Sequence, residues 1–274
     1  MSLIDIGANL AHDSFKDDLD AVLARAWQAG LDAVIVTGSS RDSALAAVEL
    51  ARRYPKKLYA TAGLHPHHAG DWNDELADLF RELSADPQVV ALGECGLDYF
   101  RNYSSHNDQR TAFAAQLELA AELHRPLFLH QRDAHADFLA MLGEYRSRLG
   151  DVVVHCFTDT RAALNDYLAL DCHIGITGWI CDERRGAHLL EAVADIPDHR
   201  LLIETDAPYL LPRNAMHRDM QLSNALERPP KQTHRRNEPA YLPWVVRALA
   251  AARNQTEAHV AEIASANARR FFRI

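Results

Sequence analysis

Cysteine is scarce in this sequence, which also lacks a long apolar run and an excess of positive charge. The 274 residues include four cysteines, none spaced as a C-x-x-C pair, which argues against a disulfide framework. No run of about 18 apolar residues occurs, so we expect no membrane span. The 38 acidic residues outnumber the 29 lysines and arginines, giving a formal net charge of −9. This balance argues against wholesale electrostatic wrapping of DNA or of an anionic membrane.

The first residues, MSLID, lack the basic flank and apolar stretch of a secretory signal peptide. We therefore expect a cytoplasmic protein, and we expect a monomer. Apolar residues make up 48% of the chain, enough for a sizeable core, which excludes a disordered chain. No Gly/Ser linker or low-complexity segment divides the sequence, so we predict a single domain over residues 1–274.

Short apolar runs rich in β-branched residues alternate with longer segments of helical spacing. The runs are nearly continuous, which is typical of parallel strands buried on both faces. The predicted strands are residues 3–8, 33–37, 58–64, 89–94, 126–130, 152–155, 172–177 and 201–205. Eight strands alternating with helices predict a (β/α)8 TIM barrel, with a doubly wound open sheet as the alternative. We favour the barrel because polar residues follow nearly every strand rather than one switch point.

Four residues with metal-binding side chains each end a predicted strand. They are Glu94, His130, His155 and Asp206. Because the carboxyl ends of barrel strands converge on one mouth, we expect these side chains to hold a divalent cation together. Mg²⁺ and Mn²⁺ prefer the oxygens, whereas Zn²⁺ accepts the imidazoles readily. The alternative is that each polar residue caps a strand or sits satisfied in a hydrogen-bond network.

Three further residues lie near the same strand ends. His65 and His67 flank Pro66 and are interpreted as phosphate contacts or acid/base groups, with local turn stabilisation as the alternative. Glu204 lies two residues before Asp206. Asp206 serves as a metal ligand or as the base toward the attacking water, and Glu204 orients a water or a ligand; the sequence leaves the division of roles open.

Arginines lie just beyond the strand ends or in the connection 212–238, a 27-residue stretch with six basic and three acidic residues. A connection of this length without apolar periodicity is typical of a functional or mobile loop. Phosphodiesters need cations to offset their charge, although solvated surface charge is the alternative for each arginine. The candidate phosphate contacts, with His67, are Arg132, Arg185, Arg235 and Arg236.

Aromatic residues lie among these cations in the sequence. Interleaved rings and cations suit an unpaired nucleic-acid strand, and packing at the top of the barrel explains the rings equally well. The rings are Tyr99, Phe100, Tyr103, Phe157, Trp179 and Tyr209.

The motifs together resemble the TatD family of metal-dependent deoxyribonucleases from Asp5 to the region of Asn267. They are GECGLDY (93–99), LHQRDA (129–134), HCFTDT (155–160), IGITGWICDERRG (174–186), LLIETDAPYLLPR (201–213) and RRNEPAYLP (235–243). The resemblance implies a TIM-barrel nuclease of the amidohydrolase type. It further implies Mg²⁺-dependent 3′–5′ exonuclease action on single-stranded DNA and RNA, and a part in the repair of oxidatively damaged DNA. Carried over, the family's metal ligands fall on Glu94, His130, His155 and Asp206.

One departure from the family pattern lies on the first strand. Most related proteins carry D-x-HxH there, and both histidines bind metal; here Gly7 and Asn9 stand in their places. Glycine has no ligating side chain, and asparagine offers only a neutral carbonyl. The number of ions therefore stays open, and the loss of two imidazoles shifts the preference toward Mg²⁺ or Mn²⁺.

Two other functions compete with the nuclease at this point. The same metal–water chemistry serves carbonyl substrates, so a deacylase or amide hydrolase, for example one acting on acyl-tRNA, is one alternative. The other is a catalytically silent barrel that binds nucleic acid, which the missing histidines of the first strand suggest.

Overall fold

The computed structural model describes residues 2–213 and 236–274. Eight parallel strands form one sheet in the order β1 to β8. The strands are β1 (Leu3–Ala8), β2 (Leu31–Val36), β3 (Leu58–Ala62), β4 (Val89–Asp98), β5 (Leu127–Arg132), β6 (Val152–Val154), β7 (His173–Ile176) and β8 (Leu201–Ile203).

The sheet curls back on itself just beyond β8. The Asp206 N–H donates to the Gly7 carbonyl at 2.8 Å, and the Asn9 N–H donates to the Ala207 carbonyl at 2.6 Å. These bonds join the carboxyl ends of β1 and β8 in a nearly closed barrel. The TIM barrel predicted from the alternation is therefore confirmed, and the open doubly wound sheet is wrong.

Nine α-helices in the described residues connect or follow the strands. Side chains at several amino termini satisfy the free N–H groups; Ser40, for example, accepts from the Ser43 N–H in a capping box. The helices are α1 (Leu19–Gln28), α2 (Arg41–Arg53), α3 (Asp74–Leu83), α4 (His106–Leu123), α5 (His135–Tyr145), α6 (Arg161–Ala169), α7 (Ala187–Ala192), α8 (Leu242–Arg253) and α9 (Glu257–Phe272). None of them has the length and apolar character needed to cross a bilayer.

Strand β4 extends further than the sequence predicts. Residues 93–98 continue the strand, and Gly96 and Asp98 pair with His130 and Arg132 of β5. The register shifts between Gly93 and Cys95, which places Glu94 at an irregularity inside the strand rather than at its end. Gly96 has φ +145°, and a Cβ there would lie 1.9 Å from the His130 carbonyl oxygen, so only glycine permits this pairing.

The core has two parts. The larger apolar cluster joins the strands to the surrounding helices. A smaller one contains Ile4, Ile6, Phe128 and Leu202 of the strands and packs against Phe271 of α9. All four cysteines are free thiols, as the sparse cysteine pattern predicts. The mouth at the carboxyl ends is therefore built on a rigid apolar base.

Candidate metal centre and active site

One carboxylate oxygen, Oε1 of Glu94, lies at the centre of the site. Three imidazole nitrogens surround it: Nε2 of His155 at 2.9 Å, Nδ1 of His130 at 3.1 Å and Nε2 of His65 at 3.3 Å. Burial opposes the ionisation of Glu94, but the imidazoles hold its pKa well below the usual range. The structure therefore brings three of the four predicted metal ligands together, with His65 beside them.

His155 lies between two carboxylates. Its Nε2 faces Glu94, and its Nδ1 lies 3.3 Å from Oε2 of Glu204. Burial disfavours the imidazolium, yet the charges of Glu94 and Glu204 raise the pKa of His155 well above its ordinary value. Glu204 also accepts from the Cys156 N–H, which fixes its carboxylate. Glu204 thus orients His155 from the side opposite Glu94.

Two glycines make room for the Glu204 carboxylate. A Cβ on Gly7 would lie 2.5 Å from Oε2 of Glu204, and a Cβ on Gly175 would lie 2.6 Å from Oε1. Glu204 itself is completely buried. The glycine that replaces a histidine on β1 therefore leaves the space that Glu204 occupies.

Asp98, at the end of β4, was not predicted as a site residue. Its Oδ2 lies 2.8 Å from Nε2 of His67 and 3.4 Å from Nε2 of His130. Its Oδ1 accepts from the N–H groups of Phe100 and Arg101. Burial raises the pKa of Asp98, but the bonds from His130, His67 and the backbone lower it well below its usual range. The signal in the sequence was the second carboxylate of GECGLD.

His65 caps the local turn, and its ring also faces Glu94. Its Nδ1 accepts from the His67 N–H at 3.1 Å and caps the turn that follows β3. Burial lowers the pKa of His65 to about 4. A neutral imidazole whose Nδ1 accepts carries its proton on Nε2, the atom that faces Glu94. His65 is therefore arranged as a hydrogen-bond donor at the mouth.

Asp206 lies at the junction of β1 and β8. Its Oδ1 accepts from Nδ2 of Asn9 at 3.1 Å. Burial raises the pKa of Asp206 to about 8; the charge of His155 opposes this rise, and the charges of Glu94 and Glu204 support it. Asn9, the second departure from the family pattern, therefore holds a carboxylate at the mouth.

A second buried carboxylate, Asp5, supports this junction and was also missed. Its Oδ1 accepts from the Thr205 N–H at 2.9 Å and from the Gly7 N–H at 3.2 Å. Burial raises the pKa of Asp5 to about 7, against the opposing hydrogen bonds from Thr205. Asp5 thus ties β1 to the segment that carries Glu204 and Asp206.

The donor set fits a divalent cation. Within the described part of the chain, no lysine or arginine pairs with Glu94, Glu204 or Asp206; imidazoles face Glu94 and Glu204, and the Asn9 amide faces Asp206. Nε2 of His130 is buried and makes no hydrogen bond of good geometry in the described residues, although it lies 3.4 Å from Oδ2 of Asp98. Glu94, His130 and His65 offer one oxygen and two nitrogens that all lie within 4.8 Å of one another, a mixed donor set that divalent metals accept. His155 contacts the same oxygen of Glu94 at 2.9 Å. A cation would supply the positive charge that protons on the imidazoles otherwise provide.

The predicted phosphate contacts fall in different places. His67 lies at the mouth against Asp98, and Arg132 ends β5 close by. Arg185 is anchored by Nε to Oδ2 of Asp182 at 2.8 Å and stays 61% exposed. Arg235 and most of the connection 212–238 lie outside the described residues.

Arg236 does not lie free at the mouth, so its assignment to substrate phosphate requires correction. Its side chain is only 6% exposed and pairs with Asp18 at 2.7 Å and with Glu238 at 2.8 Å. Arg25 joins the same network through a 2.7 Å contact with Glu238. A guanidinium paired with the buried Glu238 and the partly buried Asp18 anchors residues 236–238 to the start of α1.

Comparison with known proteins identifies the family. A family model described as TatD-related DNase matches residues 4–273. The chain belongs to the TatD family. TatD-family relatives include the 3′-5′ ssDNA/RNA exonuclease TatD of Dickeya dadantii (strain 3937), 48% identical over 271 residues that cover 99% of this chain and 98% of the relative. The protein of the same name from Edwardsiella piscicida is 47% identical and matches 99% of this chain and 100% of its own.

Solved TatD-family structures agree with this assignment. A TatD homologue from Escherichia coli superposes with a TM-score of 0.84 at 28% identity, covering 99% of this chain and 98% of that one. A TatD-family hydrolase from Entamoeba histolytica gives a TM-score of 0.83, also at 28% identity, over 98% and 97% of the two chains. The family resemblance inferred from the motifs is confirmed.

Proposed function

We propose that this chain is a metal-dependent 3′–5′ exonuclease that hydrolyses phosphodiester bonds of single-stranded DNA and RNA. The observation that carries the proposal is the single oxygen of Glu94 surrounded by nitrogens of His65, His130 and His155 at the barrel mouth. The names of the relatives at 48% and 47% identity support the substrate class and the polarity.

The chain's own residues have distinct roles in this proposal. Glu94, His130 and His155 would hold the cation, and Asp206 would join them as a ligand or act as the base toward a water. Glu204 keeps His155 in place. When bound, a divalent cation offsets the charge of the phosphate and makes a water more acidic.

The groups at the rim bind the substrate. His65, beside Glu94 and His130, is the candidate acid/base group, and His67 and Arg132 contact the neighbouring phosphates. We assign Mg²⁺ as the metal, with Mn²⁺ or Zn²⁺ as alternatives, because Gly7 and Asn9 remove two imidazoles from the donor set. The cytoplasmic location, the monomeric state, the single domain over 1–274 and a part in DNA repair stay predictions.

The test uses a single-stranded oligonucleotide labelled at its 5′ end. With Mg²⁺ we expect a ladder of products shortened from the 3′ end, with EDTA we expect none, and restored Mg²⁺ restores cleavage. A duplex of the same sequence tests strand preference, and acyl-tRNA tests the deacylase alternative. Undiminished cleavage in EDTA contradicts the metal role, and release of the acyl group without cleavage of the oligonucleotide identifies a deacylase.

A further inference from the structure

Cations and aromatic rings form one continuous row along the rim. Arg101 lies 5.4 Å from the Phe100 ring, and Arg132 lies 4.8 Å from the same ring. Arg132 also lies 5.5 Å from the Trp179 ring, and Arg185 lies 4.3 Å from it. We call these five residues the rim row. They come from three different parts of the barrel mouth.

The rim row is attached directly to the metal centre. Arg132 is two residues after His130 on β5, and Phe100 is two residues beyond Asp98, the last residue of β4. Asp98 accepts from the Phe100 and Arg101 N–H groups while its other oxygen faces His130. A strand lying on the row therefore runs toward the predicted ligands.

The row combines accessible cations with two aromatic rings. Phe100 is 54% exposed, whereas Trp179 is half-buried and packs partly against the core. The carboxylate near Arg132, Oδ1 of Asp133, lies 3.8 Å away, so the guanidinium charge is weakly offset. Nε of Arg185 donates to Oδ2 of Asp182, and this bond keeps the Arg185 guanidinium over the Trp179 ring.

We propose that the rim row binds the bases of an unpaired nucleic-acid strand by stacking, and that it gives the site its preference for single strands. This inference rests on the proposed function, because it names the residues that recognise that substrate. Aromatic rings and guanidinium planes stack on any base, and the arginine charges follow the phosphates. In a duplex the base faces are already covered by their neighbours, so a duplex gains only the charge contacts.

The experiment separates stacking from charge by using two probes in EDTA, where no cleavage is expected. One is a fluorescein-labelled oligothymidylate, and the other is a strand of equal length made of abasic sites, which keeps the phosphates and lacks the bases. Binding is followed by fluorescence anisotropy. Trp179→Ala and Phe100→Ala are each expected to weaken oligothymidylate binding by about tenfold while leaving the abasic strand little affected.

Matched controls exclude a loss of folding or of charge. Trp27 also has a cation over its ring, since Nζ of Lys57 lies 5.0 Å from the ring centre. Lys57 directly precedes β3, so this pair lies at the end of the barrel opposite the mouth. Trp27→Ala is therefore expected to bind both probes like the wild type. Phe100 is more than half exposed, so its truncation removes little packing. Arg132→Lys keeps the charge and loses the planar guanidinium, and we expect it to weaken oligothymidylate binding alone.

Two outcomes overturn the inference: equal weakening of both probes by the ring substitutions, and no weakening of either. Oligonucleotide cleavage by the wild type with Mg²⁺ is measured in parallel. If the wild type cleaves nothing but the ring variants lose oligothymidylate binding, the proposed exonuclease activity fails and the rim row stands. If the wild type cleaves and the ring variants bind like it, the rim row fails and the exonuclease stands.

Discussion

The carboxylate of Glu204 fills the space into which a side chain on Gly7 would project. A Cβ at Gly7 would approach Oε2 of Glu204 to 2.5 Å, closer than two such atoms can lie. Glu204 in turn holds Nδ1 of His155. A side chain at position 7 would therefore have to displace the Glu204 carboxylate and the tip of the Phe128 ring.

Gly7→Ala is expected to displace Glu204 and to disturb His155. Because carboxylates behind metal-ligating histidines typically affect metal affinity or activity by about 10–100-fold, we expect a loss in that range. The measurement is oligonucleotide cleavage with titrated Mg²⁺, together with a thermal melt to show that the variant folds.

Gly143→Ala is the matched control for this substitution. Gly143 lies in α5, and a Cβ there would meet no atom within 4 Å. We expect unchanged cleavage and a free energy of unfolding higher by up to about 1 kcal/mol, because alanine favours the helix over glycine. If Gly7→Ala cleaves the oligonucleotide as well as Gly143→Ala, the placement of Glu204 beside Gly7 does not affect activity.

Asp98→Asn is expected to lower activity by about tenfold or more, because the neutral amide holds Nε2 of His67 and Nε2 of His130 less firmly. The turn at Phe100 keeps an acceptor in the amide oxygen, so the fold should persist. Mn²⁺ binding measured by calorimetry should weaken in parallel with the loss of cleavage. Wild-type metal affinity and turnover in this variant would show that Asp98 is a turn residue only.

Arg236→Ala tests the correction made to the predicted phosphate contacts. Removing the guanidinium leaves Asp18 and Glu238 with Arg25 as their remaining cation, and the loss of its hydrogen bonds should cost about 1–3 kcal/mol of unfolding free energy. Arg269→Ala removes a half-exposed pair with Asp32 and should cost less than about 1 kcal/mol. Urea denaturation measures both variants.

The same variant has a clear outcome in binding assays. At a temperature where Arg236→Ala is folded, its affinity for the abasic strand should equal that of the wild type, because the guanidinium is committed to carboxylates. A selective loss of affinity without a loss of stability would restore Arg236 as a phosphate contact.

His173 makes stability depend on pH, far from the metal centre. Burial lowers its pKa from 6.5 to about 4; Asp151 opposes this shift, and His199 and Arg270 reinforce it. The unfolded chain therefore binds a proton in this pH range that the folded chain does not. Above pH 6.5 His173 is neutral in both states and costs no stability. As the pH falls toward 4, protonation of the unfolded chain lowers the free energy of unfolding by up to about 3 kcal/mol.

The check is denaturation at a series of pH values for the wild type and for His173→Gln. The wild type should lose stability more steeply than the variant between about pH 7 and 4. His68→Gln, at an exposed histidine, is the control and should follow the wild type. Parallel curves for the wild type and His173→Gln would contradict the assignment.

The sequence predicted the barrel well, because buried parallel strands leave continuous apolar runs that a helix cannot share. It placed Glu94 at a strand end, whereas β4 continues to Asp98. The two glycines of GECGLD read as a loop, but Gly96 is needed inside the strand for close approach to β5. Strand boundaries of this kind depend on backbone contacts across the sheet, which no local pattern records.

The site was predicted in part for a related reason. His130 and His155 each follow an apolar run, so the sequence indicates that they lie at strand ends. Both lie against Glu94. Asp5 was missed because a single acid inside a strand looks like any other polar residue. Arg236 was misjudged because its partner Asp18 is remote along the chain, so the ion pair is invisible until the fold brings them together.

The central claim is that Glu94, His130 and His155 share one divalent cation at the mouth of the barrel. The most direct test is an anomalous difference map from crystals soaked in Mn²⁺. We predict a peak within coordination distance of all three side chains. A map with no peak there, or with its peak on other residues, would contradict the account.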